Sequence, residues 1–371
     1  MANYQGLKKL LKHLDKRIDR EGFCQIQAGM EATGVYWISF YEQLIKLGLE
    51  TIVLNPLQVK ASQNKNIKGN KTDRIDAWLI AEILRFGKYR PSSVPDRANL
   101  ELRQLTRLRS DLVSLISSLK LKVMGLMDQI FPEYKEVFRD TFSTSSKEVL
   151  KKAVCPEEII LLSTRKLSQI LKKASRGKWG LEKARKIKET ATYSLGISLG
   201  MNAFSLSVKI LLEQIEHLEN QVGKLEEEIS RLFAKQKTTL ESIPGVGRIT
   251  AATIRAEIGD FDRFINDKNG AQKIVALAGI DPRIRESGRY KGKAKMSKRG
   301  SPYLRKAARQ AAFSAVYSAK EPMFVNLYQK HIKKGKHLEV ALSHVERKLL
   351  HIVYSLLKNK REYRSDYKLK N

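Results

Sequence analysis

Apolar residues return every three or four positions through residues 5–20, QGLKKLLKHLDKRIDR, where Leu7, Leu10, Leu11, Leu14 and Ile18 fall on one side. The spacing predicts an amphipathic helix, with Gly22 as its stop. A short run, FCQIQAGM, reads as a strand ending at Glu31. Thr33 and Gly34 open a second helix, VYWISFYEQLIKL, closed by Gly48, and LETIVLNP is a second strand stopped by Pro56. A basic, Asn-rich loop over 60–71 leads into NKTDRIDAWLIAEIL, the start of a third helix. This order predicts an α/β unit with parallel strands, and in such units sites lie beyond the carboxyl ends of the strands. Glu31 stands at one of those ends.

From about Pro91 the pattern changes to long helices. Leu105, Leu108, Leu112, Leu115, Leu119, Val123, Leu126 and Ile130 follow three-and-four spacing up to Phe131-Pro132. A second series has Leu211, Leu218, Leu225 and Leu232 alternating with Ile215, Val222 and Ile229. With the leucines at d, the β-branched residues occupy a, which favours a two-stranded parallel coiled coil. An antiparallel hairpin with the first long helix fits the same pattern equally well. A basic helical insert containing KKASRGKWG lies between them, over 133–199. Further on, SIPGVGRITAATIRAEIGD has Pro244, Gly245 and Gly247 ahead of a helix rich in Ala and Thr. That pattern resembles a helix-hairpin-helix, whose glycines let backbone N–H groups approach a phosphate. The expected architecture is therefore α/β plus all-α. Its predicted parts are an α/β domain over 1–90, a helical and coiled-coil region over 91–236, a mainly helical C-terminal domain over 237–360 and a flexible tail over 361–371.

Charge changes the picture most. The 371 residues are 42% hydrophobic, enough for real cores, yet 70 Lys and Arg face 39 Asp and Glu, a formal net charge of +31. Self-repulsion of that size favours a polyanionic partner, and nucleic acid leads over a membrane surface. No run of 18 apolar residues and no apolar signal-peptide core occurs, so the expectation is a soluble, cytoplasmic, nucleoid-associated protein without a membrane partner. Cys24 and Cys155 form neither a disulfide framework nor a zinc motif, and His344 and His351 read as packing residues. The segment 283–306 concentrates ten basic residues against one acid, Glu286, and is interrupted by Gly288, Gly292 and Gly300. Phosphate contact is the economical reading for Arg283, Arg285, Arg289, Lys291, Lys293, Lys295, Lys298, Arg299 and Arg305, joined by Gly245 and Gly247 upstream.

Asp73 and Asp76 share a helix face and repel. A local explanation exists, because acids in a first turn complement the helix dipole and Thr72 can cap it. Together with Glu31, however, they form a set of hard oxygen ligands suited to Mg²⁺. Two such ions can clamp the attacking and leaving oxygens of a phosphodiester. A basic protein with these carboxylates is a candidate for DNA cleavage or strand transfer.

Six segments in order, GMEATGVYW (29–37), VLNPLQVKA (53–61), NKTDRIDA (70–77), SIPGVGRITAATIRAEIGD (242–260), ALAGIDPRIRESG (276–288) and MSKRGSPYLRKA (296–307), resemble the insertion-sequence transposases of the IS110 family. The resemblance implies a RuvC-like DEDD domain, of RNase H-like fold, followed by a serine transposase domain. It implies that Glu31, Asp73 and Asp76 are catalytic Mg²⁺ ligands. It also implies that Ser287 is the nucleophile that forms a covalent phosphoserine on DNA. Activation of that hydroxyl would require the metal cluster to approach it, across a homodimer or higher homo-oligomer. Arg283, Arg285 and Arg289 would stabilise phosphate charge, an assignment from spacing. Some family members also use a structured guide RNA.

One departure matters. In the family an opening strand bears the first Asp of DEDD, whereas this sequence starts at the helix that follows it. Asp15 and Asp19 lie on that helix and are no substitutes. The expectation is a shortened copy with a weakened metal site and weak or no transposition. Two alternatives stand beside it: an inactive nucleic-acid-binding remnant, and a metal-dependent junction nuclease working without the serine. Sequencing the DNA upstream of Met1 checks the expectation. Absence of an in-frame strand with Asp supports decay, and its presence means a misassigned start.

Overall fold

The chain divides into two units, residues 1–96 and 97–371. The structure, a computed structural model, describes residues 4–21, 26–32, 36–63, 72–87, 89, 91–92, 96–283, 286–287, 290–291 and 295–365.

The first unit has the predicted order with one helix added: α1 (Tyr4–Glu21), β1 (Gln27–Glu31), α2 (Tyr36–Lys46), β2 (Glu50–Leu54), then α3 (Pro56–Gln63), a helix where only a strand stop and the start of a loop were expected, and α4 (Asp73–Arg85). The strands are parallel, in register from Gln27 with Glu50 to Glu31 with Leu54. Leu54, Val59 and Leu79 form a small core, with Ile52, Ile80, Ile83 and Leu84 packed on it. α4 lies on β1, and a Cβ placed on Gly29 would come within 2.5 Å of Leu84 and 2.7 Å of Ile80. Only glycine permits so close an approach of helix and strand.

Two long helices frame the second unit, α5 (Arg97–Ile130) and α11 (Met201–Phe233). Leu102 shares a core with Ile229 and Phe233, whereas Ile116, Val123 and Met127 meet Val208, Leu212 and Ile215. The ion pairs Arg109–Glu226 at 2.6 Å and Lys120–Glu219 at 2.8 Å follow the same antiparallel course. The Ile-Val-Ile row of α11 thus finds its partner inside the chain. This corrects the expectation of a parallel two-stranded coiled coil, because α5 already covers the seam that a second copy would need. The stripe predicted on α5 is corrected too. Leu108 and Leu115 remain 43% and 47% exposed, while Leu102, Thr106, Ile116 and Met127 are buried. α5 packs on α11 and on a later helix, so its buried row is set by two neighbours at once.

Between the long helices the insert folds as α6 (Tyr134–Val137), α7 (Thr144–Leu150), α8 (Pro156–Leu161), α9 (Thr164–Ala174) and α10 (Leu181–Thr192). Its core joins Phe131, Tyr134, Leu150, Ile159, Leu167 and Ile187 to the nearby ends of α5 and α11. After a 3₁₀ turn at Leu240–Ser242 come α12 (Arg248–Ile258), α13 (Asp262–Ile265) and α14 (Gly270–Ala278). Four two-residue strands follow, β3 (Pro282–Arg283), β4 (Glu286–Ser287), β5 (Tyr290–Lys291) and β6 (Lys295–Met296). The chain then forms α15 (Pro302–Tyr317), α16 (Pro322–Lys333) and α17 (Leu338–Asn359). Ala251 and Ala252 of α12, with Ala308, Ala311, Ala312 and Ala315 of α15, are fully buried. These small side chains bring the two helices close.

The segment expected to be a flexible tail is docked as far as Ser365. Thr239 Oγ1 donates to the Arg361 carbonyl at 2.7 Å, and the Tyr363 N–H donates to Ser242 Oγ at 2.8 Å. Tyr363 and Ser365 hydroxyls both reach Glu321, and the Tyr363 ring stacks on Phe324. The reading of His344 as a packing residue agrees with the structure, since it stacks on His331 with ring centroids 3.6 Å apart.

Glu346 of α17 is 3% exposed. Burial pushes its carboxyl from 4.5 up to about 7, against the pull of Arg309 and Arg305. The folded state therefore holds a proton that the unfolded chain releases near 4.5, so stability is lost as pH rises through about 7. Glu346→Gln is expected to raise the stability at pH 8 by on the order of 2 kcal/mol and to change little below pH 4.5. Urea unfolding at the two pH values measures it, and an equal effect at both contradicts the assignment.

Candidate functional site

In the first unit the sequence places the carboxylates by continuing an apolar row into polar positions. Ile80, Ile83 and Leu84 of α4 face the strand and its core. Asp76 lies four residues before Ile80 and Asp73 seven, so both stand on the same side of the helix, one and two turns toward its N-terminus. Thr72 caps that end, its Oγ1 accepting the Ile75 N–H at 3.3 Å. Asp73 is exposed and Asp76 half-buried. Glu31 closes β1 two residues beyond Gly29, the point where α4 presses on the strand. The structure thus puts the predicted carboxylates on two elements in contact. It does not gather the three side chains themselves, because among the described residues no three His, Cys, Asp or Glu stand close enough to hold a metal ion. The Asp73–Asp76 pair fits Mg²⁺ by the chemistry of its donors, since this ion takes one or two carboxylates and completes its shell with water and phosphate oxygens.

In the second unit the basic segment is a ribbon of two successive rungs. β3 pairs antiparallel with β6, and β4 with β5, so that Ser287 stands opposite Tyr290 at the inner rung. Arg283 and Lys295 face each other at the outer rung, and both are exposed. Lys298 and Arg299 are exposed just beyond it. Arg285, Arg289 and Lys293 lie outside the described residues. At the base, the Ser297 N–H and hydroxyl both donate to Asp281, at 2.9 and 2.6 Å. Here Gly279, with φ +65°, meets Gly300, where a Cβ would fall 2.2 Å from the Leu277 carbonyl oxygen. Gly300 is therefore a site of backbone packing and not an interruption that leaves a loose loop.

Two residues expected at phosphates serve the protein interior. Gly245, at φ +89°, brings its backbone against α15, where a Cβ would meet the Ala315 nitrogen at 2.4 Å. Gly247, at the N-terminus of α12, has open space around it and is exposed. Arg305 donates to the Ala278 carbonyl at 2.8 Å and so ties α15 to the C-terminal end of α14.

Residues that pattern did not single out hold this region together. Glu257, at the end of α12, has a side chain 2% exposed. It accepts from Arg107 Nε and Nη2 at 2.6 and 2.9 Å, and from the Ser301 hydroxyl at 2.7 Å. Ser301 also caps α15 by accepting the Leu304 N–H. Arg103 donates to the Ala256 carbonyl at 2.9 Å, and the Arg107 guanidinium lies 5.0 Å from the Tyr303 ring centroid. Hydrogen bonding to Glu257 drives the Arg107 pKa up, while burial lowers that of Arg103. Ser301 before Pro302 is a signal that fits a helix start, but nothing in α5 marks Arg107 among so many cations.

Comparison with known proteins shows the family. A transposase model for the DEDD region of IS110 elements matches residues 1–132, and the model described as "Transposase IS116/IS110/IS902 family" matches residues 237–329. Together they cover more than half of the chain. The chain belongs to the IS110 family of transposases. The transposase for insertion sequence element IS1111A of Coxiella burnetii is 24% identical over 280 residues, which is 74% of this chain and 62% of that protein, less than two thirds of its length. The IS900 42 kDa protein of Mycobacterium paratuberculosis is 25% identical over 309 residues, 79% of this chain and 73% of that one. The IS110 43.6 kDa protein of Streptomyces coelicolor is 23% identical over 301 residues, 80% and 72% of the two chains. In this family member the ribbon bearing Ser287 falls within the second matched region, and Glu31, Asp73 and Asp76 fall within the first.

Because Gly279 and Gly300 meet backbone to backbone, Gly300→Ala is expected to lower stability by about 1–3 kcal/mol. Chemical denaturation measures the loss, and an unchanged midpoint would remove the ribbon's anchor from the account.

Proposed function

We propose that this IS110-family chain cuts and joins DNA with Ser287 as the nucleophile and the Glu31, Asp73 and Asp76 carboxylates as an Mg²⁺ site within a RuvC-like domain. The observation that carries the reading is Ser287 at the inner rung of a basic ribbon whose base is fixed by buried packing. A serine hydroxyl held in one geometry against a phosphodiester meets the condition for nucleophilic catalysis, and the packing of Gly279 on Gly300 at the base supports that reading. Oγ attack forms a bond to phosphorus as one P–O bond of the strand breaks, so phosphodiester energy is retained for rejoining. The exposed Arg283, Lys295, Lys298 and Arg299 offset the charge of the DNA backbone around the attacked phosphate. Bound Mg²⁺ would supply Lewis-acid stabilisation of phosphate oxygens. Asp73, Asp76 and Glu31 would be the residues that hold it.

The test is a denaturant-resistant protein–DNA adduct on labelled duplexes carrying the element's own ends. The wild-type chain is expected to form the adduct, Ser287→Ala to form none, and Asp76→Asn to reduce it at least about 100-fold. Cleavage that depends on Mg²⁺ and survives Ser287→Ala would replace this reading by a junction nuclease. Salt-sensitive binding with neither adduct nor cleavage would leave a nucleic-acid binder.

A further inference from the structure

Residues 133–236, which include the insert over 133–199, lie outside both family matches, and the insert has a basic surface that the ribbon chemistry does not use. Residues 164–188 carry ten Lys and Arg against a single acid, Glu182. Leu167 and Leu171 of α9, with Ala184 and Ile187 of α10, bury the inner sides of this helical hairpin. Arg165, Lys166, Lys172, Lys173, Arg176, Lys178, Arg185 and Lys186 are exposed. Two other cations of the hairpin are taken up by backbone carbonyls: Lys183 donates to Val137 and Lys188 to Leu162. The exposed cations contribute no such contact, and among the described residues none of the eight enters an ion pair. On α9, Arg165 and Lys172 lie seven residues apart on one side, away from the buried leucines, a placement that gives them access to a partner.

The connection between the helices is built, not loose. The Gly177 N–H donates to the Lys172 carbonyl at 2.8 Å across Arg176, which sits at φ +52°, the left-handed cap that ends a helix. Ser175 Oγ then accepts the Trp179 N–H at 2.8 Å. This fixes Trp179 at the head of α10 with 37% of the residue exposed. Lys178 and Lys183 lie 5.3 and 4.9 Å from its ring centroid. Of the nearby aromatics, Phe131, Tyr134 and Phe138 are buried in the core, whereas Tyr193 at the far end of α10 is 77% exposed and lies away from the turn. An indole kept at the surface among cations, on a bonded turn, combines the two elements of single-strand recognition: a ring on which a base stacks and charge that tracks the backbone.

We propose that the α9–α10 hairpin is a binding site for unpaired DNA, in which Trp179 stacks on an exposed base while Lys172, Lys173, Arg176 and Lys178 neutralise the flanking phosphates. The choice of DNA rests on the strand-cutting reading above, but the site is independent of Ser287. Charge alone would bind duplex equally well. The exposed ring is what selects a strand whose bases are free to stack, since duplex bases are already stacked on one another.

The full chain with Trp37→Phe and Trp78→Phe reports Trp179 fluorescence alone, and labelled 20-nucleotide DNA, the matching duplex and matching RNA are titrated against it. Single-stranded DNA is expected to quench the signal and to bind more tightly than either competitor. In anisotropy measurements on the otherwise wild-type chain, Trp179→Ala is expected to weaken single-strand binding by about tenfold. The fourfold variant Lys172→Gln, Lys173→Gln, Arg176→Gln and Lys178→Gln is expected to flatten the slope of log K against log salt by about 3. Absence of quenching, duplex or RNA binding as tight as single-stranded DNA, or an unchanged salt slope would overturn the proposal. Ser287→Ala is expected to leave the quenching intact, so loss of adduct with retained quenching, or the reverse, separates the two readings.

Discussion

One buried carboxylate organises the packing around the base of the ribbon. Glu257 ends α12, where unsatisfied helix carbonyls already make a negative site, and its own charge is almost fully withdrawn from water. Such a group is tolerated only when cations and donors surround it. Arg107 supplies a two-pronged bond, the Ser301 hydroxyl a third contact, and Arg103 covers the neighbouring carbonyls. These partners come from α5 and from the cap of α15, so one charge fixes three helices at the place from which the ribbon departs. The ribbon's own anchor, Gly300 against Leu277 and Gly279, is next to Ser301 in the chain. The base of the ribbon thus has a support that lies outside it.

The same reasoning divides the large positive charge into two populations. Arg103, Lys183, Lys188 and Arg305 donate to carbonyls, and Arg107, Arg109, Lys120 and Lys147 are paired with glutamates across helices. Their role is internal. Arg283, Lys295, Lys298 and Arg299, with the eight cations named on the α9–α10 hairpin, stand exposed instead. Net charge says nothing of which cations are consumed inside the protein and which remain at its surface.

Much of the first unit was legible because its signals are local: the strand before Glu31, the Pro56 stop and the Thr72 cap each depend on a few adjacent residues. The second unit was legible in kind but not in partnership. The Ile215, Val222, Ile229 row announced a seam, yet the identity of the facing helix depended on how the insert returns the chain to α5. Leu108 and Leu115 were misplaced for the same reason, since α12 pulls the buried row of α5 away from its most regular leucines. Gly245 read as a phosphate contact because a glycine that frees the backbone for a ligand and one that frees it for a neighbouring helix look alike in sequence. Glu257 was invisible among 39 acids, because its importance comes wholly from contacts made far along the chain.

The most direct measurement of the central claim is a double-mutant cycle between Glu257 and Arg107, read by urea unfolding. Arg107→Leu leaves a charge stranded in the interior and is predicted to cost about 3–5 kcal/mol. Glu257→Leu is predicted to cost less, because Arg107, 40% exposed, can turn to solvent. The pair together should cost clearly less than the sum of the two. Single losses below about 1 kcal/mol that simply add would contradict the account, since Glu257 would then be an ordinary residue at the end of a helix.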